Sequence, residues 1–163
     1  MITELISLTK YSTSSNPIIL DDYLHRSFAA YHAKNDFNKS FIYCKPDEKG
    51  ESAPRCDYLL VCSDDFTIRF IELKGNDKQE DKKCCKNVWG HAFHQLVATY
   101  DNYSPLIDHE KDIVKMILCT SAYRFSDSRR RSATRYEQYR YYKKIRELGV
   151  VPLILYCDDE DVV

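Results

Sequence analysis

The chain has 163 residues, of which 44% are hydrophobic and 30% are charged, and its formal net charge is −1. This length predicts a single domain over residues 1–163, with enough apolar content to form a core without disulfides. No apolar run approaches the roughly 20 residues of a transmembrane helix, so we expect no membrane contact. The overall charge by itself does not indicate a nucleic-acid partner.

The cysteines and the start of the chain indicate the compartment. The chain has seven cysteines, and most lie inside apolar runs, where a thiol behaves as a small core residue. These are Cys56, Cys62, Cys119 and Cys157. The first residues lack the basic start and long apolar stretch of a secretory leader. We therefore expect a reducing, cytoplasmic compartment.

The N-terminal part predicts a loop followed by a helix. Residues 1–8 fit a short helix or strand, and residues 10–17 are rich in Ser, Thr and Asn, which is typical of a loop. Asp21 or Asp22 is a typical helix start. Apolar residues then follow on one helical stripe. They are Tyr23, Leu24, Phe28 and Tyr31.

Three β-prone runs come next. Residues 40–44 predict a short strand, and residues 45–55 predict a loop because they contain two prolines and a glycine. Residues 57–62 and 66–74 predict two longer strands, separated by a polar turn at 63–65 and ended by Gly75. The two strands are expected to form a hairpin.

Helices and strands alternate in the rest of the chain. Residues 87–103 have the clearest helical periodicity, and Pro105 follows their end. Residues 113–119 predict a buried strand, 132–148 a charged helix ended by Gly149, and 150–156 a last strand. The acidic residues 158–161 are expected to lie in solvent. This order predicts an α/β domain in which helices cover the sheet.

Two carboxylates and a lysine converge in the predicted hairpin. Side chains alternate across a strand, so Ile68, Phe70, Glu72 and Lys74 should share one face of the second strand. The short turn brings Asp57, at the start of the first strand, beside the end of the second strand. We therefore expect Asp57 close to Glu72 and Lys74.

These residue types fit a divalent cation. Mg²⁺ or Mn²⁺ prefers oxygen ligands and is often held by one or two carboxylates, waters and a substrate phosphate. Asp57 and Glu72 would bind it, and the backbone carbonyl of Leu73 could be a further ligand. Lys74 would orient or deprotonate the attacking water, or stabilise negative charge in the transition state. The pattern predicts metal-dependent hydrolysis of phosphodiester bonds.

Asp57, a gap of fourteen residues, and Glu72-Leu73-Lys74 closing an apolar strand resemble the motif of the PD-(D/E)xK nuclease superfamily. The resemblance implies a restriction endonuclease-like αβββαβ core, with a mixed central sheet flanked by helices, over residues 21–119. It implies a Mg²⁺- or Mn²⁺-dependent endonuclease or exonuclease that acts on DNA in defence, restriction or recombination. In many members a glutamine on the helix after the lysine strand supports the site, and Gln95 is similar in position.

The chain departs from the family pattern at two points. Pro54 lies three residues before Asp57 and not beside it. The family often has a further carboxylate on its first helix, and the alternatives for it are Glu4, Asp21 and Asp22.

A basic, tyrosine-rich segment spans residues 124–146. It has nine basic and two acidic residues, a local charge of +7, while the remaining chain carries −8. Basic side chains can contact DNA phosphates, and interleaved tyrosines can stack on bases. The alternative is a solvated helix with extended arginines. The residues expected to contact DNA are Arg129, Arg130, Arg131, Arg135, Arg140, Lys143 and Lys144.

Other interpretations of the site residues stay open. Glu72 and Lys74 could form an ion pair on a solvated face, and Gln95 could be an ordinary boundary residue. A zinc site is conceivable, but adjacent cysteines are not the usual ligand spacing. Its ligands would be Cys84, Cys85, His91 and His94.

The resemblance leaves alternative functions as well. The chain could be a non-catalytic DNA-binding or protein-interaction module of the same fold, of an accessory or immunity type, or an RNA-directed nuclease. One domain leaves little room for target recognition, so a protein partner could supply it. A double-strand cut would need a homodimer or two visits.

Overall fold

The computed structural model describes residues 11–21, 29–46, 55–62, 64–74, 85–120, 131–156 and 159–163, without the side chains of 85–89, 131–135 and 137. These residues form a mixed α/β fold with a six-stranded sheet, a three-stranded sheet and two long helices. None of the described helices has an apolar stretch long enough to cross a bilayer.

The larger sheet contains the predicted hairpin. Its strands, in order across the sheet, are β1 (Tyr11–Thr13), β4 (Phe41–Cys44), β5 (Tyr58–Cys62), β6 (Thr67–Lys74), β7 (Ile113–Thr120) and β8 (Val151–Leu155). Adjacent strands from β1 to β6 are antiparallel to each other, whereas adjacent strands from β6 to β8 are parallel. Because Lys74 pairs with Thr120, the carboxyl ends of β6 and β7 lie at one edge of the sheet.

Two helices connect the parallel strands. Helix α1 (Cys85–Tyr103) joins β6 to β7, and helix α2 (Arg131–Glu147) joins β7 to β8. Parallel strands need such crossover connections. A 3₁₀ turn (Ser104–Leu106) follows α1 and contains Pro105. After α2, Gly149 has φ of 73°, in the left-handed region that glycine adopts readily.

Strand β6 separates two apolar cores. Ile68 and Phe70 pack in the core beneath the helices, and Ile71 and Leu73 pack in the core on the other face of the sheet. The predicted alternation of side chains along this strand is confirmed. A strand that is buried on both faces reads as a nearly continuous apolar run, and β6 departs from this at Thr67 and Arg69, which are both buried.

The smaller sheet covers the face opposite the helices. It consists of β2 (Ile18–Asp21), β3 (Ala30–Lys34) and β9 (Asp161–Val162). Strand β3 is antiparallel to β2 and parallel to β9. The buried side chains of this smaller sheet share a core with the central sheet, and they include Ile18, Tyr31 and Ala33. Helices therefore flank one face of the central sheet, and a second sheet flanks the other.

The prediction of a helix from Asp21 or Asp22 through Tyr31 is wrong at both ends. Asp21 ends strand β2 and Tyr31 lies within β3. Burial alternates with a period of two along β2, where Ile18 and Leu20 are buried, and this period is that of a strand. The middle of the predicted helix, with Tyr23, Leu24 and Phe28, lies outside the described residues.

The prediction of a loop over residues 10–17 is wrong for Tyr11–Thr13, which form the edge strand β1. This strand pairs with β4, and the ring of Tyr11 stacks on that of Tyr43 with 5.2 Å between centroids. Pairing with a neighbouring strand outweighs the weak local preference of Ser and Thr. Residues 1–8 lie outside the described residues.

The expectation that residues 158–161 lie in solvent is wrong for Asp161, which is only 5% exposed. Its Oδ2 accepts hydrogen bonds from the Tyr31 hydroxyl at 2.9 Å and from Nε of Arg69 at 3.1 Å. The Lys115 ammonium lies 3.5 Å from Oδ1. Asp161 can be buried because the buried Arg69 compensates its charge. The acidic composition of residues 158–161 therefore does not show whether a residue lies in solvent.

We predict that Asp161→Ala destabilises the fold by roughly 3–5 kcal/mol, because Arg69 would remain buried without its anion. Nη1 of Arg69 already has no hydrogen-bond partner among the described residues. Urea unfolding followed by circular dichroism measures the change. The control is Asp36→Ala, which removes a largely exposed ion pair with Lys34 and should change little. Equal effects of the two substitutions would contradict this account.

Candidate functional site

Asp57 lies at the end of β6 where the sequence predicts it. It directly precedes β5, one residue beyond the Tyr58–Ile71 pair, which places it beside Glu72. Its Oδ2 accepts a hydrogen bond from the backbone amide of Leu73 at 2.6 Å. This bond fixes the Asp57 carboxylate across the end of the neighbouring strand.

Glu72 is a fully buried carboxylate. Its side chain is 0% exposed, whereas that of its ion-pair partner Lys74 is 24% exposed. Apart from this ion pair, neither carboxylate oxygen has a hydrogen bond of regular geometry among the described residues. Because Glu72 is not at the surface, the interpretation of this pair as an ion pair on a solvated face is wrong.

The surroundings of Glu72 favour its neutral form. Burial, and after it the negative charge of Asp57, raise the pKa of the Glu72 carboxyl to about 8. The ammonium of Lys74 and the backbone amide of Asp57 act in the opposite direction but do not compensate. Two carboxylates that share a buried site lose a proton with difficulty unless a cation joins them.

Gln95 holds Lys74 from the helix side. Nζ of Lys74 donates to Oε1 of Gln95 at 2.7 Å, and Nε2 of Gln95 donates to the carbonyl of Arg55 at 3.1 Å. Helix α1 thereby contacts both the end of β6 and the segment that precedes Asp57. The structure brings together all four predicted catalytic residues, while their catalytic roles remain predictions.

Thr99 is a site residue that the sequence analysis missed. It is buried on α1, one turn after Gln95. Its hydroxyl accepts from the backbone amide of Cys56 at 2.8 Å and donates to the carbonyl of Gln95 at 2.7 Å. The i+4 spacing from Gln95 was the signal that could have identified it, since such residues share a helix face.

The oxygen donors at this edge fit a hard divalent cation. The predicted ligands are the carboxylates of Asp57 and Glu72 and the carbonyl of Leu73. Among the described residues, no cluster of three or more His, Cys, Asp or Glu side chains occurs. A site with two carboxylates suits Mg²⁺ or Mn²⁺ better than a cation that requires a complete protein cage, because Mg²⁺ keeps several waters.

The conceivable zinc ligands are described only in part. His91 and His94 both lie on the exposed side of α1, as predicted. Cys84 and the side chain of Cys85 lie outside what is described.

The basic segment is described in part. Arg129 and Arg130 lie outside the described residues, and Arg131 and Arg135 lie on α2 without described side chains. Three of the predicted DNA contacts are exposed on this helix. They are Arg140, Lys143 and Lys144.

Helix α2 starts at the edge of the sheet that carries the candidate site. It follows β7 and returns to the parallel strand β8, so its N-terminus lies on the side where β7 ends. Strand β6 ends at the same edge, because Lys74 pairs with Thr120. Arg131 and Arg135, which belong to the first turns of α2, are therefore on the site's side of the domain.

Comparisons with known proteins give no match to this chain, whether with family models, with curated proteins or with solved structures. Its function therefore has to be inferred from the site. That site combines two coupled carboxylates, a tethered lysine and a nearby basic helix.

We predict that Glu72→Gln stabilises the chain at alkaline pH. The pKa of Glu72 in the folded state is about 8, above its usual 4.5. The stability that the neutral carboxyl contributes is therefore fully present below pH 4.5 and is lost as pH rises through 8. Without divalent cation, the free energy of unfolding of Glu72→Gln should exceed that of wild type by roughly 3–5 kcal/mol at pH 9 and by little near pH 4.5.

Urea unfolding across this pH range measures the difference, with Glu147→Gln, at an exposed position on α2, as the matched control. The control should follow wild type at every pH. Parallel pH profiles for wild type and Glu72→Gln would rule out a protonated, buried Glu72.

Proposed function

We propose that this chain is a Mg²⁺- or Mn²⁺-dependent nuclease that hydrolyses phosphodiester bonds in DNA. The observation that carries the proposal is the fully buried Glu72 carboxylate beside Asp57, at the end of a strand. A purely structural role explains this arrangement poorly, because a fully buried carboxylate beside a second, half-buried one costs stability. A strongly perturbed carboxyl with a specific charged neighbour is typical of a functional site.

Asp57 and Glu72 would hold the cation, with the Leu73 carbonyl as a further ligand. When bound, a divalent cation polarises the scissile phosphate and lowers the pKa of a bound water. The amide of Leu73 keeps Asp57 in place during this step. Glu72 would lose its proton on binding, because only the carboxylate is a good ligand.

Lys74 would act on the substrate side of the site. Its ammonium contacts Glu72 and Gln95. With Glu72 engaged by the cation, the ammonium, still hydrogen-bonded to Gln95, would donate to the attacking water or to a non-bridging phosphate oxygen. Donors fixed in advance at the position where charge develops stabilise the transition state strongly.

The order of elements supports a restriction endonuclease-like core. Strands β4, β5 and β6 form an antiparallel meander, α1 follows, and β7 lies parallel to β6. This order agrees with the βββαβ part of the expected core. The first helix of that core was expected from Asp21 or Asp22 through Tyr31, where both ends lie in strands and the middle lies outside the described residues.

The exposed Arg140, Lys143 and Lys144 support DNA as the substrate, since phosphate contacts dominate nucleic-acid affinity. A homodimer would allow both strands of a duplex to be cut, and a protein partner would supply target recognition. Defence, restriction or recombination in the cytoplasm is the setting that the family resemblance implies. The buried thiols of Cys56, Cys62 and Cys119 fit a reducing compartment.

We predict Mn²⁺-dependent cleavage of labelled DNA that falls by at least about a hundredfold in Lys74→Ala and in Glu72→Gln. Single-stranded, duplex and branched DNA and an RNA of the same sequence are tested by gel electrophoresis. The matched control is Lys111→Ala, because Lys111 is an exposed lysine that forms an ion pair with Asp108.

Cleavage that persists unchanged in Lys74→Ala would contradict the role of that lysine. Failure of the wild type to bind Mn²⁺ would contradict the enzyme and favour the non-catalytic DNA-binding or interaction module.

A further inference from the structure

The tyrosines of the basic segment differ in their surroundings. Tyr141 is buried, and its hydroxyl donates to the carbonyl of Met116 at 2.9 Å, so this side chain belongs to the core. Tyr142 is half-buried against the same core. Tyr136 and Tyr139 are instead 62% and 64% exposed. Of the four tyrosines of this segment that the structure describes, two are therefore available for stacking.

Tyr136 and Tyr139 form a pair on α2. Residues three apart are neighbours on a helix surface, so the two exposed side chains lie on the same face of α2. The guanidinium of Arg140 lies over the ring of Tyr136, 5.8 Å from its centroid. Lys143 is exposed one turn after Tyr139. Two accessible rings are thus accompanied by cations in the part of the chain that carries a local charge of +7.

We propose that Tyr136 and Tyr139 stack on unpaired bases of a single DNA strand while Arg140 and Lys143 contact its phosphates. Bases in a duplex are already stacked on one another, so exposed rings gain little from them, whereas unpaired bases present free faces. The surrounding positive charge matches the phosphate backbone. The choice of nucleic acid rests on the proposed nuclease function, and this inference adds a substrate with a single-stranded segment.

The test is fluorescence anisotropy in EDTA, where no cutting occurs, with a labelled oligothymidylate and a labelled duplex of equal length. Tyr136→Ala combined with Tyr139→Ala should weaken single-strand binding about tenfold to a hundredfold and leave duplex binding nearly unchanged. The double Tyr→Phe variant keeps the rings and should bind as wild type does. Phe37→Ala is the matched control, because Phe37 is 79% exposed but lies outside the basic segment.

Single-strand binding that the double Ala variant leaves unchanged, or that Phe37→Ala weakens equally, would overturn the stacking assignment. Wild type that binds duplex more tightly than the single strand would overturn it too. Because no metal is needed, this outcome is separate from the cleavage assay. Tyrosine-dependent binding without any cleavage would refute the nuclease and leave the stacking surface intact.

A second inference comes from the hydrogen bonds of Thr99. The hydroxyl of Thr99 holds the amide of Cys56, and Gln95 holds the carbonyl of Arg55. The two residues directly before Asp57 are therefore both tied to one face of α1. The same Gln95 holds Lys74, so the helix sets the distance between the metal-binding and lysine sides of the site.

We infer that Thr99 is a positioning residue, which rests on the proposed function of Asp57 and Lys74. Thr99→Val keeps the shape and removes the hydroxyl, whereas Thr99→Ser keeps the hydroxyl. Thr99→Val should lower kcat about tenfold with KM little changed and weaken Mn²⁺ binding, measured by calorimetry, by a similar factor. Thr99→Ser should restore both.

A merely structural role would lower the midpoint of unfolding without changing kcat or Mn²⁺ affinity in the folded protein, and that result would overturn the inference. If wild type cuts DNA and Thr99→Val cuts equally well, the positioning role alone fails. If wild type neither binds Mn²⁺ nor cuts, both the positioning role and the proposed function fail.

Discussion

The burial of Glu72 beside Asp57 is the constraint on which the rest of the site depends. Strand β6 is covered on both faces, so the carboxylate of Glu72 near its end does not reach solvent. The negative charge of Asp57 then adds to burial in raising the pKa of Glu72 to about 8. The amide of Leu73, the lysine and the helix glutamine all act on this pair. A divalent cation bound between Asp57 and Glu72 would offset the repulsion between their negative charges.

The chain contains a second buried charged cluster, and the contrast between the two is informative. On the opposite face of the sheet, Asp161 is surrounded by Arg69, Lys115 and the hydroxyl of Tyr31, so cations outnumber the carboxylate. At the candidate site, Glu72 is buried beside the negative charge of Asp57 and forms an ion pair with Lys74. The first cluster is compensated internally and attaches β9 to the core. In the second, the pKa of Glu72 stays raised to about 8 despite the ammonium of Lys74, which is why we assign it to function.

The sequence predicted the part of the fold in which local pattern and tertiary burial agree. Strand β6, the hairpin and α1 have strong periodicity, and the position of Asp57 followed from the hairpin alone. Strands β1, β2 and β3 were missed because they are short and pair over long distances. Asp161 could not be assigned for a similar reason, since a carboxylate shows its partners only after the chain has folded.

The most direct test of the central claim is calorimetric titration of Mn²⁺ at pH 7 in two buffers with different heats of ionisation. If Glu72 has a pKa of about 8, Mn²⁺ should bind and release about one proton, because the ligand must be the carboxylate. Glu72→Gln should show neither strong binding nor proton release. Binding without proton release, or binding that is the same in Glu72→Gln, would contradict a metal site at this carboxyl.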